Sequence, residues 1–309
     1  MHQQTTTVEV RVPASTSNLG PGFDCFGLAL KLYLTVKAHL DPESKKPYII
    51  ETAAGEHDAA LSRSEDNLIY RAMVYAAERE NSTLPPVRLY IDNEIPVSRG
   101  LGGSAAAIIA GLKTYQILCK PSLPDEQILR YAMELEGHPD NAAPSLFGGF
   151  VVNCTGEEGM VLSLRSTWPG EIKIIVVVPN VRLDTKQARA VLPDVVPHRE
   201  AVFNLQRAAL LVTALRENRY DLLWEAMQDR LHQQKREHLV PGLAEVLATP
   251  RIDGLLGVAL SGAGPSVVGL ADRNVDEIGR LLAAGFERNG VAVQVLQLGI
   301  DTEGTIVKL

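Results

Sequence analysis

The chain has 309 residues, 46% of them apolar and 22% charged, an ordinary globular balance that can fill one large core or two smaller ones. A formal net charge of −7 excludes the broad Lys and Arg excess that drives non-specific nucleic-acid binding, while leaving room for a basic pocket around a small anion. No apolar run approaches the roughly 20 residues that cross a bilayer, and MHQQTTTVEVRV lacks the basic-then-apolar pattern of a secretory signal.

Cys25, Cys119 and Cys154 stand apart without metal-ligand spacing. The expectation is a soluble protein of the reducing cytoplasm.

In chain order, Val8, Val10 and Val12 alternate as in a half-buried strand, and Leu28 to Val36 supplies a second. Asn67 to Glu80 carries apolar residues at helical spacing. VRLYID (87–92) alternates again, before a glycine loop and a helix over about Gly102 to Leu118. Ser122 and Asp125 read as a capping box ahead of QILRYAMELEG. GGFVVNC is a strand. TGEEG and STWPG then supply turn residues, so a domain boundary falls near residues 155–170.

Beyond that boundary IKIIVVVP (172–179) reads as a buried strand, followed by helices around 199–217 and 220–234. GVALSG and SVVGLAD pair around the turn at Ala263–Gly264–Pro265, EIGRLLAAGFERNG is a helix closed by Gly290, and VAVQVLQLG is a strand. The order β-α-β-β-α-β is that of the split βαβ, ferredoxin-like plan. A short last run, GTIVKL, is free to pair elsewhere.

Three glycine-bearing stretches stand out. PVSRGLGGSAA (96–106) places Gly100, Gly102 and Gly103 at the start of a helix, whose unpaired N–H groups and partial positive charge suit phosphate. It is neither a Walker loop nor G-x-G-x-x-G, and a tight packing turn explains it equally well. PASTSNLGPGFDCFGLAL (13–30) turns at Gly20–Pro21–Gly22 between Asn18 and Asp24, which alone is a β-loop capping its own backbone. ALSGAGPS (259–266) alone is a hairpin.

Together and in this order, the three resemble the three motifs of the GHMP kinase family, from about residue 8 to 300. One departure is Gly103, where many members carry a second serine. The resemblance implies a two-domain α+β fold, with an ATP-binding domain over 1–160 and a ferredoxin-like α+β domain over 161–309. It implies ATP and Mg2+ as cofactors. ATP would lie on Pro96, Val97, Ser98, Arg99, Gly100, Leu101, Gly102, Gly103, Ser104, Ala105 and Ala106, with Asn67 a candidate for the nucleoside pocket.

LEGHPDNAAPSLFGGF (135–150), TKQAR (185–189) and DRLHQQKR with LVPG (229–242) are similar to segments of the homoserine kinase branch. That likeness implies Ser104 and Glu136 as magnesium ligands. Arg189 and Arg236 would hold the substrate carboxylate, Asp140 and Asn18 its ammonium, and His138 a further hydrogen bond. Asn141 and Asp24 would act catalytically by orienting the hydroxyl, with no dedicated general base.

The implied partner is L-homoserine, with no nucleic acid and no membrane, and a homodimer is the family expectation. His232 and His238 lack a helical i, i+4 relation and read as non-ligands. The rivals are another GHMP kinase, such as a mevalonate-type enzyme, and a nucleotide-binding regulatory module that has lost catalysis. The presence of both Ser104 and Glu136 argues against the module.

Overall fold

A computed structural model describes residues 7–55 and 57–309. β1 (Thr7–Asn18) and β2 (Gly22–Leu40) form a long antiparallel hairpin that turns at the Gly-Pro-Gly sequence. Val8, Val10 and Val12 are buried on one face of β1, as their alternation predicts. β2 is longer than the strand expected at 28–36 because it serves two partners. Its last half pairs with β4 (Val87–Asn93), with β3 (Tyr48–Thr52) parallel beyond it, and Phe26–Leu28 pair with β5 (Phe150–Thr155).

β6 (Val161–Ser166) extends the first sheet from β5, so it lies past the expected division at 160/161 yet packs with the first domain. β3 and β6 escaped the sequence reading. Each is short, and most of β6 is exposed, which blurs the alternation that would mark it.

The second sheet contains β7 (Lys173–Pro179), β8 (Leu255–Leu260), β9 (Val267–Ala271) and β10 (Val293–Leu298) in the antiparallel order β10-β7-β9-β8. That is the strand order of the expected ferredoxin-like plan. The unbroken apolar run of β7 has a simple cause. Ile174, Val176 and Val178 join the core shared with the first sheet, while Ile175 and Val177 meet Ile278, Leu282 and Phe286 on the other face. GTIVKL does pair elsewhere: β11 (Ile306–Lys308) lies antiparallel to β1.

α1 (Leu68–Arg79) crosses α2 (Gly103–Cys119) so closely that a Cβ on Gly111 would lie 2.2 Å from the Ile69 carbonyl oxygen. α3 (Asp125–Glu136) and α4 (Ala142–Phe147) complete the first domain's helices. The Ser122–Asp125 capping box is not formed. α3 starts after Pro124 without a side-chain cap, and Asp125 instead accepts from Lys113 Nζ at 2.8 Å and Gln116 Nε2 at 3.1 Å.

The second domain adds α5 (Thr185–Ala190), α6 (His198–Arg216), α7 (Leu223–Ala226), α8 (Gln233–Arg236), α9 (Leu243–Leu247) and α10 (Val275–Glu287). The continuous helix expected over 220–234 is broken. The Asp229 carboxylate takes the backbone N–H groups of Leu231, His232 and Gln233, which starts a new helix rather than continuing the old one.

Candidate active site

The three glycine-bearing loops meet. The Leu101 carbonyl accepts from Ser15 N–H at 3.2 Å, and the Arg99 carbonyl accepts from Ser266 N–H at 3.2 Å. Ser261 Oγ lies 2.6 Å from the Gly100 carbonyl oxygen and 2.8 Å from Thr16 Oγ1. Gly262 N–H donates to the Ser17 carbonyl at 3.2 Å.

This convergence separates the two readings of the glycine loop. Gly100 and Gly102 are left-handed, at φ 78° and 67°, and a Cβ would fall 2.4 Å from Ser261 O or 2.2 Å from Ser15 Oγ. Those two glycines answer to packing. At Gly103 the nearest atom to an added Cβ, Ile95 Cγ2, is 3.6 Å away, an ordinary contact. There α2 begins with no side-chain cap and no acidic residue in its first turn. A 17-residue helix therefore points an uncapped, partly positive end out of the loop. Ser104 Oγ donates a short hydrogen bond to Glu136 Oε1, bringing two hard oxygen donors together beside that end.

Next to the loop lies a cluster of charges. The β1–β2 turn holds Asn18, Leu19 and Asp24 at positive φ (71°, 46° and 56°), a concentration of backbone strain typical of functional turns. Asn18 Oδ1 accepts from Asp24 N–H at 3.1 Å, and its Nδ2 donates to the Gly262 carbonyl at 2.9 Å. Arg189 forms a two-point pair with the Asp24 carboxylate, at 3.1 and 2.6 Å. Oxygen and nitrogen ligand atoms of Asp24, His138 and Asp140 lie within 4.8 Å of one another.

His138 Nδ1 is 2.5 Å from Asp140 Oδ1, and its Nε2 is buried with no partner. Arg236 is 1% exposed, yet its guanidinium carbon lies 5.5 Å from the Phe23 ring centroid, with that of Arg189 at 5.3 Å. Asn141 donates from Nδ2 to Ser15 Oγ at 3.0 Å and accepts from Ser17 Oγ at 3.2 Å.

Burial alone would raise the Asp140 carboxyl, but the hydrogen bond and charge of His138 hold it below its usual range. Burial likewise works against the His138 imidazolium, and the bond to Asp140 outweighs it, so His138 titrates above its ordinary value. Arg189 is pushed up by Asp24 against the same opposing burial. Arg236 is lowered to about 10, by burial first and the neighbouring Arg189 second, and stays charged near neutrality. With His138 protonated, Asp24 and Asp140 face three cations, and Glu136 and Asp229 are two further carboxylates close enough to act on them.

The structure thus gathers Asn18, Asp24, His138, Asp140, Asn141, Arg189 and Arg236 at one place, and Ser104 with Glu136 beside the glycine loop. Asn67 stands apart from these contacts. It caps α1, its Oδ1 accepting from Ile69 and Tyr70 N–H and its Nδ2 donating to the Ser62 carbonyl at 2.6 Å. Sequence reasoning passed over Ser15, Ser17, Phe23 and Ser261, all inside the quoted motifs, and read His232, which touches Arg236, as a non-ligand. Nothing in the residue spacing marks them, since each acts by holding another residue of the site.

Comparison with known proteins gives the family. Residues 67–149 match the model of the GHMP kinases N terminal domain, and residues 211–287 that of the GHMP kinases C terminal domain. A homoserine kinase of Deinococcus radiodurans is 42% identical over 301 residues, covering 97% of this chain and 96% of that protein. One of Solibacter usitatus is 41% identical over 295 residues, covering 96% and 95%. The crystal structure of homoserine kinase from Cytophaga hutchinsonii superposes with a TM-score of 0.85 at 27% identity, over 100% of this chain and 99% of that one. With both domain models matched and such identity sustained over nearly its whole length, the chain belongs to the GHMP kinase family.

Proposed function

We propose that the chain is an ATP-dependent kinase that phosphorylates the side-chain hydroxyl of L-homoserine to O-phospho-L-homoserine. One observation carries the choice of substrate: arginines and carboxylates converge in one cluster beside the glycine loop. An α-amino acid has a carboxylate and an ammonium a few ångströms apart, and Arg189 with Arg236 suits the first while Asp140 and Asn18 suit the second. Mevalonate has no ammonium for Asp140 and Asn18 to engage. The relatives named above are homoserine kinases, which supports the same reading.

Phosphoryl transfer asks for alignment and charge neutralisation more than for covalent help. Residues 96–106 and the uncapped start of α2 hold the triphosphate, with Asn67 at the nucleoside end through the turn it fixes. The contact of Ser104 with Glu136 fits a magnesium ion, since a hydroxyl and a carboxylate are hard oxygen ligands. When bound, magnesium neutralises phosphate charge. Asp24 and Asn141 orient the acceptor hydroxyl, Asn141 being fixed by Ser15 and Ser17. His138 offers its unpartnered Nε2 to the substrate. No residue is placed as a dedicated general base. The enzyme works as a homodimer in the cytoplasm.

An ATP-coupled assay across homoserine, mevalonate and sugars tests the proposal. Turnover with homoserine at least a hundred-fold above the others is expected. Preference for mevalonate would overturn the substrate, and no turnover with any acceptor would favour the regulatory module.

A further inference from the structure

His232 reads from the sequence as a bystander, but its bonds give it a task. It is 1% exposed, and its ring lies 5.1 Å from that of Phe23. Nε2 lies 2.8 Å from the Gly20 carbonyl oxygen, which can only accept, so the proton sits on Nε2. Nδ1 is then a bare acceptor, and Arg236 Nη1 donates to it at 3.1 Å. A proton on Nδ1 would set donor against donor. The same Nη1 reaches the Gly262 carbonyl at 3.3 Å, and Nε donates to the Ala188 carbonyl at 2.9 Å. Among the described residues, Nη2 is the guanidinium nitrogen with no protein partner.

We infer that His232, as a neutral imidazole protonated on Nε2, is a positioning residue that fixes Arg236 so that its Nη2 faces the substrate carboxylate. Three anchors on three segments leave the guanidinium one orientation. His232 is the one anchor whose acceptor can be lost by protonation.

The charged groups around it are Asp229 on its own segment, with Oδ2 3.7 Å from Nε2, then Arg236 on α8 and Asp24 on β2. The Asp229 carboxylate is already engaged by the N–H groups of residues 231–233 and by Asn204 Nδ2 at 2.7 Å. Burial, with Arg236 beside the ring, lowers the imidazole's affinity for a second proton, while Asp229 works the other way and does not prevail.

This inference rests on the substrate reading above, and its test separates the two. 15N NMR of histidine-labelled protein without substrate should show the Nε2–H tautomer at His232, with no titration between pH 8 and 6. An Nδ1–H tautomer or a titration near 6.5 would overturn the inference whatever the substrate proves to be, and it decides the matter even if a variant fails to fold. In kinetics, His232→Phe should raise the homoserine KM about ten-fold or more. His232→Gln keeps an acceptor for Arg236 and a donor for Gly20, and should recover most of that loss. The ATP KM should stay within two-fold in both. Equal rises in both KM values, or no recovery with glutamine, would reduce His232 to a packing residue. A failed acceptor panel with the tautomer as stated would sink the substrate assignment alone.

Discussion

Arg189 donates through Nη1 and Nη2 to the two carboxylate oxygens of Asp24, at 3.1 and 2.6 Å. Both side chains are 34% exposed, so water screens the pair and it contributes little to stability. Its interest lies in occupancy. A carboxylate of the protein already sits on the arginine assigned to the substrate's carboxylate, in the planar two-point geometry that such a ligand would adopt. On the proposed reading, the substrate carboxylate would take the place of Asp24 on Arg189.

Arg189→Ala should therefore raise the homoserine KM by roughly ten- to a hundred-fold, the equivalent of about 1.5–3 kcal/mol for a charge-assisted contact. Arg189→Lys should recover only part, because an ammonium cannot reproduce the fork. The ATP KM should move less than two-fold. Steady-state kinetics with each substrate varied in turn checks this, and a larger effect on ATP would assign the arginine to the nucleotide.

The glycine loop yields a contrast between neighbours. Gly102→Ala forces a left-handed backbone, worth about 1–2 kcal/mol, and drives a methyl into Ser15 Oγ. The melting temperature should fall and Asn141 should lose its hold. Gly103→Ala meets only an ordinary contact and should melt with the parent. Scanning calorimetry beside nucleotide titration separates folding from binding in the two proteins. Comparable destabilisation in both would show that the loop has been misread.

Glu136→Gln keeps the shape beside Ser104 and removes the charge. Turnover at limiting magnesium should drop, with partial recovery as the metal concentration rises. A magnesium dependence identical to the parent's would take Glu136 out of the metal site.

The His138–Asp140 pair predicts a stability effect with a definite sign. His138 titrates above its ordinary value in the fold, so its contribution is complete below that ordinary value and disappears as pH climbs through the raised one. Asp140 titrates below its own, so its contribution is present above the usual carboxylate range and fades as pH falls through the depressed one. The stability gap between parent and His138→Gln should be widest near about pH 6 and shrink toward about pH 9. Urea unfolding at the two pH values measures it, and a gap that widens with pH would reverse the assignment.

The ferredoxin-like half was legible because its signals are local and strong. β7 is apolar from Ile174 onward since both its faces are buried, and α10 carries a clean apolar stripe closed by turn residues. The glycine loop, Glu136 and the arginines came from motifs that resemble a family. What stayed hidden depends on contacts far apart in sequence. Phe23 reaches both arginines from another domain, Ser15 and Ser17 order an asparagine more than a hundred residues away, and Asp229 breaks a helix by capping a new one. A one-dimensional pattern records which residues are present, and these residues matter through what they hold.

The return of β11 to β1 has a consequence for biogenesis. Residues 306–308 complete the edge of the first sheet, and Ile300 bridges to Leu30 on the way. A ribosome delivers the hairpin of β1 and β2 early, yet the strand that covers β1 emerges after the whole second domain. The first domain therefore waits, with one edge of its sheet open to pairing with other chains, until residues 306–308 have emerged.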